Sequence, residues 1–289
     1  MKFRPAGWPL AIVIIILFFP LWLFARDLQV HFIDVGEGDA ILITSPEQKA
    51  VLIDSGSGKA GNKVGDYLKS RKIQGLNLVI ATHPHEDHIG GFQNLIGALF
   101  FALFTEPGFG ANTQTYLDLL TSLRKNDVKY KIARAGQGYA VDPGITLSIL
   151  APEDPLVTRS RSDSNNNSVI ARLSYLDIDF LFVGDAEGEA ESRLMAKNPD
   201  LRSEVLKVGN HGSKYSASIP FLDRVKPQAA VISAGSNKDG HLTQSTLDEL
   251  MKRKIQIYRT DENGTIVMST DGRKINIMVE RTSAPAAPD

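Results

Sequence analysis

The densest group of chemically active side chains lies in residues 82–91, directly after a short apolar run. The segment contains the pattern H-x-H-x-D-H, which is formed by His83, His85, Asp87 and His88. On a tight loop at a strand end, His83 and His85 point to one side and can share a metal ion. Asp87 and His88 then turn toward a second position. Imidazole and carboxylate ligands suit zinc, and also manganese or iron. The pattern therefore predicts a metal centre in preference to a polar turn with capping histidines.

Composition narrows the chemistry that the chain can perform. The 289 residues contain no cysteine, six histidines, 32 Lys+Arg and 33 Asp+Glu. Without cysteine there are no disulfides, no thiolate metal sites, no thiol nucleophile and no lipid-modified cysteine. Any metal must be held by His, Asp, Glu or Asn. The length and charge balance are typical of an ordinary globular protein with one large domain or two small ones.

The N-terminal segment stands apart from the rest of the chain. Residues 5–25 are uncharged and follow Lys2 and Arg4. A spanning helix needs roughly 20 apolar residues and a signal peptide about 7–15, so this segment fits either reading. We interpret residues 1–25 as a signal peptide or a single transmembrane anchor. Both readings predict an extracytoplasmic protein, either membrane-anchored or secreted, because positive charges remain on the cytoplasmic side.

The part that follows is slightly acidic. Without Lys2 and Arg4, 30 basic and 33 acidic residues remain, which is a formal charge of −3. A domain that binds nucleic acid through its general field is more often basic. The charge therefore disfavours broad nucleic-acid affinity but leaves room for a local basic cluster.

Apolar periodicity and turn residues predict strands and helices in both halves of the chain. Strands are predicted at 28–35, 40–44, 49–54, 77–82, 129–133, 146–150, 168–175, 179–183, 204–209, 229–234 and within 255–280, and helices at 63–71, 92–103, 113–126, 186–197, 217–225 and 243–252. Each half begins with strands and continues with strands alternating with helices. The simplest packing is an α/β fold in which two sheets lie face to face with helices outside, a four-layer α/β/β/α sandwich. We expect one domain over residues 26–280, with the hydrophobic segment outside it and a flexible tail at 281–289.

The chain resembles the metallo-β-lactamase superfamily and, within it, the hydrolase domain of ComEC-type DNA-uptake (competence) proteins. The matching segments occur in the family's order at 31–40, 52–56, 83–88, 165–169, 184–186, 206–213, and Asn237 with Gly240 and His241. The resemblance implies the metallo-β-lactamase sandwich and a metal-dependent hydrolase that uses one or two Zn²⁺ ions, with Mn²⁺ as an alternative.

The resemblance also implies the roles of individual residues. It implies these metal ligands: His83 and His85 for the first ion, and Asp87, His88, Asp185 and His211 for the second, with Asp185 able to bridge the two. Asp87, Asp185 and Asn210 are implied as catalytic residues. Asp54 is implied as a supporting group that orients the metal loop, residues 83–88. The alternatives are a helix N-cap for Asp185 and a solvated turn residue for Asp54.

Two departures from the family pattern affect the expected site. The usual His-His-Gly-Ser is replaced by residues 210–213 with Asn210 first, and an amide can donate a hydrogen bond but cannot titrate near neutral pH. The third histidine common for the first metal is also missing, since the chain has no histidine between His88 and His211. An oxygen from Asp163, Asn165 or Asn166 could replace it, or the first metal is weakly held.

Substrate contacts are expected at the mouth of the site. We predict Lys207, Ser213, Lys214 and His241 as substrate-binding residues, and Arg159 and Arg161 could also meet a phosphate. The alternatives are solvated surface charge for the basic residues and a helix-start histidine for His241.

The expected reaction is hydrolysis by a metal-bound hydroxide, since a metal lowers the pKa of a bound water to about 7. A phosphodiester is the expected substrate, and the resemblance suggests a nuclease acting on extracellular DNA. The alternatives are a small-molecule phosphodiesterase similar to phosphorylcholine esterases, a weaker case for lactone or β-lactam hydrolysis, and a non-catalytic binding module with a decayed site. A membrane partner is expected only if residues 1–25 are not cleaved, and the oligomeric state is left open.

Overall fold

Residues 27–235 and 241–281 are described by a computed structural model. The hydrophobic segment at 1–25, the motif positions Asn237 and Gly240, and residues 282–289 of the expected tail lie outside the described residues. Among the helices that are described, none is long and apolar enough to cross a membrane.

Two β-sheets form the centre of the fold. The first has eight strands, β1 (Leu28–Phe32), β2 (Ile41–Thr44), β3 (Ala50–Ile53), β5 (Leu78–Ile80), β7 (Phe104–Glu106), β8 (Tyr130–Ile132), β16 (Ile266–Thr270) and β17 (Ile275–Val279). The second has seven, β9 (Gly138–Asp142), β10 (Ile145–Ala151), β11 (Ile170–Tyr175), β12 (Ile178–Phe182), β13 (Val205–Lys207), β14 (Ala229–Ile232) and β15 (Gln256–Arg259). A small parallel pair, β4 (Gly75–Leu76) and β6 (Phe100–Phe101), lies apart from both sheets.

The two sheets share one pattern of strand directions. In the first, the order is β17-β16-β1-β2-β3-β5-β7-β8, antiparallel as far as β3 and parallel from β3 to β8. In the second, the order is β15-β14-β13-β12-β11-β10-β9, parallel from β15 to β12 and antiparallel from there on. In each sheet, the first parallel pair beside the antiparallel part therefore has an equivalent place. It is β3 and β5 in the first sheet, and β12 and β13 in the second.

The described helices are α1 (Gly61–Ser70), α2 (Glu86–Ile89), α3 (Phe92–Leu95), α4 (Gln114–Lys125), α5 (Asp163–Asn166), α6 (Gly188–Lys197), α7 (Ile219–Val225), α8 (Gln244–Lys252) and α9 (Thr260–Asn263). Helices α1, α3 and α4 pack on the outer face of the first sheet, through Val64, Phe92 and Leu119. Helices α6, α7 and α8 pack on the outer face of the second. Each of the longer helices packs on its sheet because one side of the helix is apolar.

Alternation of apolar side chains along the strands fills the space between the sheets. In β2, Ile41 and Ile43 belong to the core between the two sheets, whereas Leu42 packs toward the helices. Successive side chains of a strand point to opposite faces, so strands covered on both sides are apolar throughout. The prediction of a four-layer α/β/β/α sandwich is confirmed.

The predicted elements differ from the structure in three places. The helix predicted at 92–103 ends at Leu95, because Gly97 adopts a positive φ of 86° and the chain turns into β6. The strand predicted at 129–133 is present as β8, but it pairs with β7 at the edge of the first sheet, whereas β9 and β10 after it belong to the second. Strand β9 was not predicted, because its exposed positions carry no apolar alternation.

Candidate metal centre

The site lies where the carboxyl ends of corresponding strands meet. Asp54 follows β3, and the loop with His83 to His88 follows β5. In the second sheet, Asp185 follows β12 and His211 follows β13. Polar groups at the carboxyl ends of parallel strands gather at one edge of an α/β sheet. Because two sheets contribute equivalent edges, residues more than 100 positions apart converge.

Four of the predicted ligands form one group. Asp87, His88, Asp185 and His211 place ligand atoms within 4.8 Å of one another. Nε2 of His88 lies 3.4 Å from Asp87 Oδ2 and 3.3 Å from Asp185 Oδ2. Nε2 of His211 lies 3.2 Å and 3.6 Å from the same two atoms. This is the set that the family resemblance implied for the second metal.

A second group shares Asp185 with the first. His83, His85 and Asp185 also place ligand atoms within 4.8 Å of one another. Nε2 of His83 lies 3.6 Å from Asp185 Oδ2 and 3.0 Å from Nδ1 of His85. Asp185 Oδ2 therefore lies close to three histidine nitrogens and can serve both groups, as expected for a bridging carboxylate.

Hydrogen bonds behind the ligands choose which nitrogen of each imidazole faces the site. Asp54 Oδ2 accepts from Nδ1 of His88 at 2.8 Å, and the backbone oxygen of Ser233 accepts from Nδ1 of His211 at 3.0 Å. Thr82 donates its hydroxyl to Asp54 at 2.7 Å, so its oxygen accepts from Nδ1 of His83 at 3.0 Å. In each ring Nε2 is then the nitrogen that faces the site, and it can bind a metal once it has no proton. Asp54 lies beneath the metal loop, the position that was predicted for it.

Unpaired polar atoms in the interior test whether the site fits a metal. Nε2 of His88, Nε2 of His211 and Oδ1 of Asp185 are buried and lack a hydrogen-bond partner within residues 27–235 and 241–281. Buried polar atoms normally find a partner, because leaving one unpaired costs about 1–3 kcal/mol. Lone pairs that converge on one point suit a divalent cation with nitrogen and oxygen ligands, such as Zn²⁺ or Mn²⁺. The chain thus contains the buried His/Asp cluster of a metallo-hydrolase.

The charges of the site oppose the effect of burial. Burial alone would lower the pKa of His211, but Asp185, Asp87 and Asp39 together outweigh it and raise that pKa to about 9. Burial would likewise lower the pKa of His88, yet Asp185 and Asp87 raise it well above its usual value. Burial would raise the pKa of Asp185, but His211 and His88 hold it well below its usual range. A metal must displace the protons on these imidazoles, so its binding releases protons.

Three residues of the site have left-handed backbones. Asp54 has a φ of 57°, Asn210 of 44° and His211 of 51°. Such conformations cost a non-glycine residue of order 1–3 kcal/mol and persist where the surroundings enforce them. Asn210 and His211 interrupt the extended backbone after β13 with left-handed conformations. Asn210 lines the cavity, and His211 belongs to the ligand group.

Lys207 lies away from the site mouth, and the prediction that it binds substrate is wrong. Its side chain is about 1% exposed, and Nζ forms an ion pair with Asp39 and lies 3.4 Å from the carbonyl oxygen of Gly184. Lys207 is two residues beyond Val205, which belongs to the core between the sheets. The period of two along β13 therefore points Lys207 inward.

The other predicted substrate contacts line one cavity. This cavity has a volume of about 360 Å³, and its lining includes His85, Asp87, Arg161, Asn165, Asp185, Asn210, Ser213, Lys214, Tyr215 and His241. Lys214 is exposed at the mouth. His241 donates from Nδ1 to Glu37 Oε1 at 2.9 Å, and its ring stacks on that of His211 with 5.8 Å between centroids. Arg159 is not among the lining residues.

The three candidates for an additional oxygen ligand differ in position. Asp163 uses both carboxylate oxygens within its own loop, accepting from the backbone of Arg159 and Ser160. Asn166 accepts from the backbone nitrogen of Ala190. Asn165 alone of the three lines the cavity.

Some groups around the site were not singled out by the sequence analysis. Glu187 is buried and accepts hydrogen bonds from Asn165, Asn210 and Arg161. Tyr215 contributes an aromatic ring at the mouth, and Glu37 orients His241. The sequence offered one signal for Glu187, its place directly after Asp185-Ala186. Only the fold brings Asn165 and Asn210 to it.

Comparisons with known proteins agree with this geometry. The family model described as the metallo-beta-lactamase superfamily matches residues 33–236. "ComE operon protein 3" of Bacillus subtilis is 30% identical over 256 residues, covering 82% of this chain and 32% of the relative. "Recombination protein 2" of Haemophilus influenzae is 30% identical over 281 residues, covering 93% and 33%. The chain thus spans about a third of the length of these curated relatives.

A solved structure gives the same fold. The diiron β-hydroxylase CmlA from Streptomyces venezuelae superposes with a TM-score of 0.56 at 9% identity, covering 85% of this chain and 54% of that one. Identity this low shows the fold alone. Together with the family match over most of the described residues, the fold and the His/Asp cluster lead to one assignment: the chain belongs to the metallo-β-lactamase superfamily.

Proposed function

We propose that this chain is a metal-dependent hydrolase of phosphodiesters, with DNA as its substrate. The observation that carries the proposal is the shared position of Asp185 between two His/Asp groups, at the bottom of a cavity whose mouth has the cations Arg161 and Lys214. Two adjacent metal positions are typical of phosphoryl hydrolysis, in which both the attacking and the leaving oxygen need stabilisation.

A metal bound here would lower the pKa of a water and polarise the substrate. The chain's own groups would position the reaction. Asp185 follows β12, His211 follows β13, and Asn210 lines the cavity beside them. The amide of Asn210 donates one N–H to Glu187 at 3.0 Å, and an amide nitrogen carries two. The second N–H is available to donate to a phosphoryl oxygen.

The mouth of the cavity suits a nucleic acid. The guanidinium carbon of Arg161 lies 3.9 Å from the ring centroid of Tyr215, and Nζ of Lys214 lies 5.2 Å from the same centroid. The Tyr215 side chain is 45% exposed. Exposed aromatic rings beside cations bind single strands, because bases stack on the ring while the cations meet phosphates. The resemblance to ComEC-type competence hydrolase domains supports the same substrate.

A small phosphodiester is the second candidate. The cavity volume of about 360 Å³ is near the lower end of ordinary ligand sites, and it accommodates a compact ester. The residues beyond 25 also carry a formal charge of −3, so they exert no general electrostatic attraction on a long polyanion such as DNA.

Hydrolysis assays on the purified full chain separate these readings. With Zn²⁺ or Mn²⁺ present, we expect turnover of bis-p-nitrophenyl phosphate that falls at least 100-fold in Asp185→Ala. The surface substitution Asp118→Ala, on α4, is the matched control and should leave turnover unchanged. Single-stranded DNA is expected to be cleaved in preference to phosphorylcholine esters. The opposite preference would favour the small-ester enzyme, and no hydrolysis by metal-loaded protein would leave a binding module.

We also propose that the hydrolase works outside the cytoplasm, attached through or released from residues 1–25. The support is the uncharged run that follows Lys2 and Arg4. In spheroplasts of the producing cell, added protease should degrade or release a C-terminally tagged chain. Intact-mass measurement then decides between cleavage and anchoring. Full protection of the tag would contradict the proposal.

A further inference from the structure

A buried carboxylate holds two asparagine amides beside the metal centre. Glu187, 3% exposed, accepts Nδ2 of Asn165 at 3.1 Å and Nδ2 of Asn210 at 3.0 Å, both on Oε1. Its other oxygen accepts Nε of Arg161 at 2.9 Å, and the Arg161 guanidinium also contacts Oε1. Among the described residues, each side chain that hydrogen-bonds to this carboxylate is a donor, and the Arg161 guanidinium contacts both of its oxygens.

The arrangement determines which end of the Asn165 amide faces Glu187. The carboxylate oxygens that contact the Arg161 guanidinium act as acceptors, so the NH₂ group of Asn165 faces Glu187 and the carbonyl oxygen points away. The opposite orientation would place two oxygens in contact. The orientation of the Asn165 amide therefore follows from the chemistry of its partner.

Within the described part of the chain, the carbonyl oxygen of Asn165 is unpaired in the same way as two of the ligand atoms. Asn165 is 6% exposed and lines the cavity together with His85 and Asp185. Its Oδ1 is buried and has no hydrogen-bond partner among the described residues, as is also true of Nε2 of His211 and Oδ1 of Asp185. A buried amide oxygen without a partner is costly unless a cation uses its lone pairs.

The group formed by His83, His85 and Asp185 has one ligand fewer than the second group. Zinc in proteins is usually four-coordinate, so three side chains leave one position for a further ligand or water. Asp163 and Asn166 are committed to partners in their own loop and to α6.

We propose that Oδ1 of Asn165 is the missing protein ligand of the first metal, with His83, His85 and Asp185. Glu187 is the positioning residue that turns this oxygen, rather than the NH₂ group, toward the ion. The inference rests on the proposed metal-dependent function. It assigns Glu187 a role in the composition of the metal site.

Metal counting on the full chain tests the ligand. After loading with Zn²⁺ and removal of excess, the parent protein should hold two ions per chain, and Asn165→Ala should hold one or bind the first ion at least tenfold more weakly. Asn165→His replaces the amide with imidazole and should keep two. The control Asn198→Ala, at the end of α6, should also keep two.

Substitution of Glu187 tests its positioning role. Glu187→Gln introduces a donor among three donors, so Asn165 can turn its NH₂ group to the metal. We expect at least tenfold weaker binding of the first ion. In the double variant Asn165→His/Glu187→Gln, the ligand no longer depends on amide orientation, so two ions should be retained. A merely structural role would lower stability equally in both backgrounds and would not be rescued. Absorption spectra after Co²⁺ substitution report the coordination change independently of activity.

The outcomes separate this inference from the function on which it rests. If the parent chain binds no metal, the proposed function fails. If it binds two ions and both Asn165→Ala and Glu187→Gln bind two with unchanged affinity, the ligand assignment is wrong while the function stands. A parent chain that binds a single ion also overturns the assignment. If Asn165→Ala does not fold, Glu187→Gln alone decides.

Discussion

Lys207 has its ammonium group among buried carboxylates. Its pKa is lowered by burial, but Asp39 and Asp185 outweigh burial and raise it, so the side chain stays charged. Asp39 is itself 1% exposed and contacts Lys207 Nζ directly. The pair sits behind the metal ligands, and it balances the negative charge that the interior of the site would otherwise carry.

The variant Lys207→Met is expected to lose about 3–5 kcal/mol of unfolding free energy, because Asp39 is left buried without its partner. Urea unfolding of chelator-treated protein measures the loss. The double variant Lys207→Met/Asp39→Asn should recover part of it. Lys214→Met, at the exposed mouth, should change stability by less than about 0.5 kcal/mol. Full stability of Lys207→Met would contradict the buried ion pair.

His31 lies in β1, outside the metal centre. Burial, with a smaller contribution from Arg71, lowers its pKa from 6.5 to about 4. Its Nδ1 lies 2.9 Å from the hydroxyl oxygen of Tyr67, and Nε2 has no hydrogen-bond partner among the residues that the structure describes. The folded protein therefore keeps this imidazole neutral at pH values where the unfolded chain protonates it.

This lowered pKa predicts a loss of stability in mild acid. Below pH 6.5 the unfolded chain takes up a proton that the folded protein accepts only near pH 4, so stability falls as the pH falls through that window. Between pH 7 and 5 the loss attributable to His31 should be about 2 kcal/mol. Urea unfolding of metal-free protein at both pH values, compared with His31→Gln, isolates the effect. An equal pH dependence in the two proteins would refute it.

At the scale of elements, backbone hydrogen bonds join the loops that carry the site. The loop after β1 contacts the metal loop, where Asp39 N donates to Asp87 O at 3.3 Å. The loop after β3 is tied to both, since Gly56 N donates to Asp39 O at 2.7 Å and Ser55 N to His88 O at 2.8 Å. The position of the ligands thus depends on three connections packed at backbone distance.

Gly38 is where this packing is closest. A Cβ on Gly38, whose φ is 112°, would lie 2.1 Å from Asp87 O. Gly38→Ala must displace the metal loop, so we expect at least tenfold weaker metal binding in addition to lower stability. Gly36, with a φ of 78° and open space at its Cβ position, is the matched control. Gly36→Ala should cost only about 1 kcal/mol of conformational strain and leave metal binding unchanged. Titration with Zn²⁺ measures both, and equal affinities would contradict the close approach.

Most elements were predictable because each strand or helix has its own apolar period. Helix α4 begins after Thr113, whose side chain accepts from Tyr116 N, close to the predicted start. The failures have local causes. Residues 96–101 are apolar and could continue a helix, but pairing of β6 with β4 is a tertiary contact that no local pattern encodes.

At the scale of the whole molecule, the site joins the two sheets. His83 and His88 come from the first sheet and Asp185 and His211 from the second. A metal that ligates residues from both is therefore a bridge between the halves of the fold. It stabilises the folded state by mass action, since the unfolded chain does not hold these ligands together.

Metal removal is expected to lower the stability of the entire fold. With free Zn²⁺ at 100 times its dissociation constant, the folded state should gain about 2.7 kcal/mol per site. Calorimetry with Zn²⁺ and with chelator measures the increment. Asp185→Asn should lose most of it, because both groups share this residue, whereas Asp118→Asn should retain it. Identical transitions with and without metal would contradict a bridging site.

The sequence by itself determined the fold family and most of the site's residue types. The spacing of His83 to His88 after an apolar strand is a local pattern, and the periods of the strands and helices are local too. Each of these patterns can be recognised from the sequence because all of its residues lie in one loop or one element.

Only the tertiary structure decided what depends on the meeting of distant segments. It buried Lys207 instead of exposing it, selected Asn165 among three candidate oxygens as the one that lines the cavity, and brought Glu187 to two asparagines. How deeply a side chain is buried, and which partner it contacts, depends on residues from the strand ends of both sheets. A residue's own neighbours in the chain do not contain that information, and this is why charge alone misplaced Lys207.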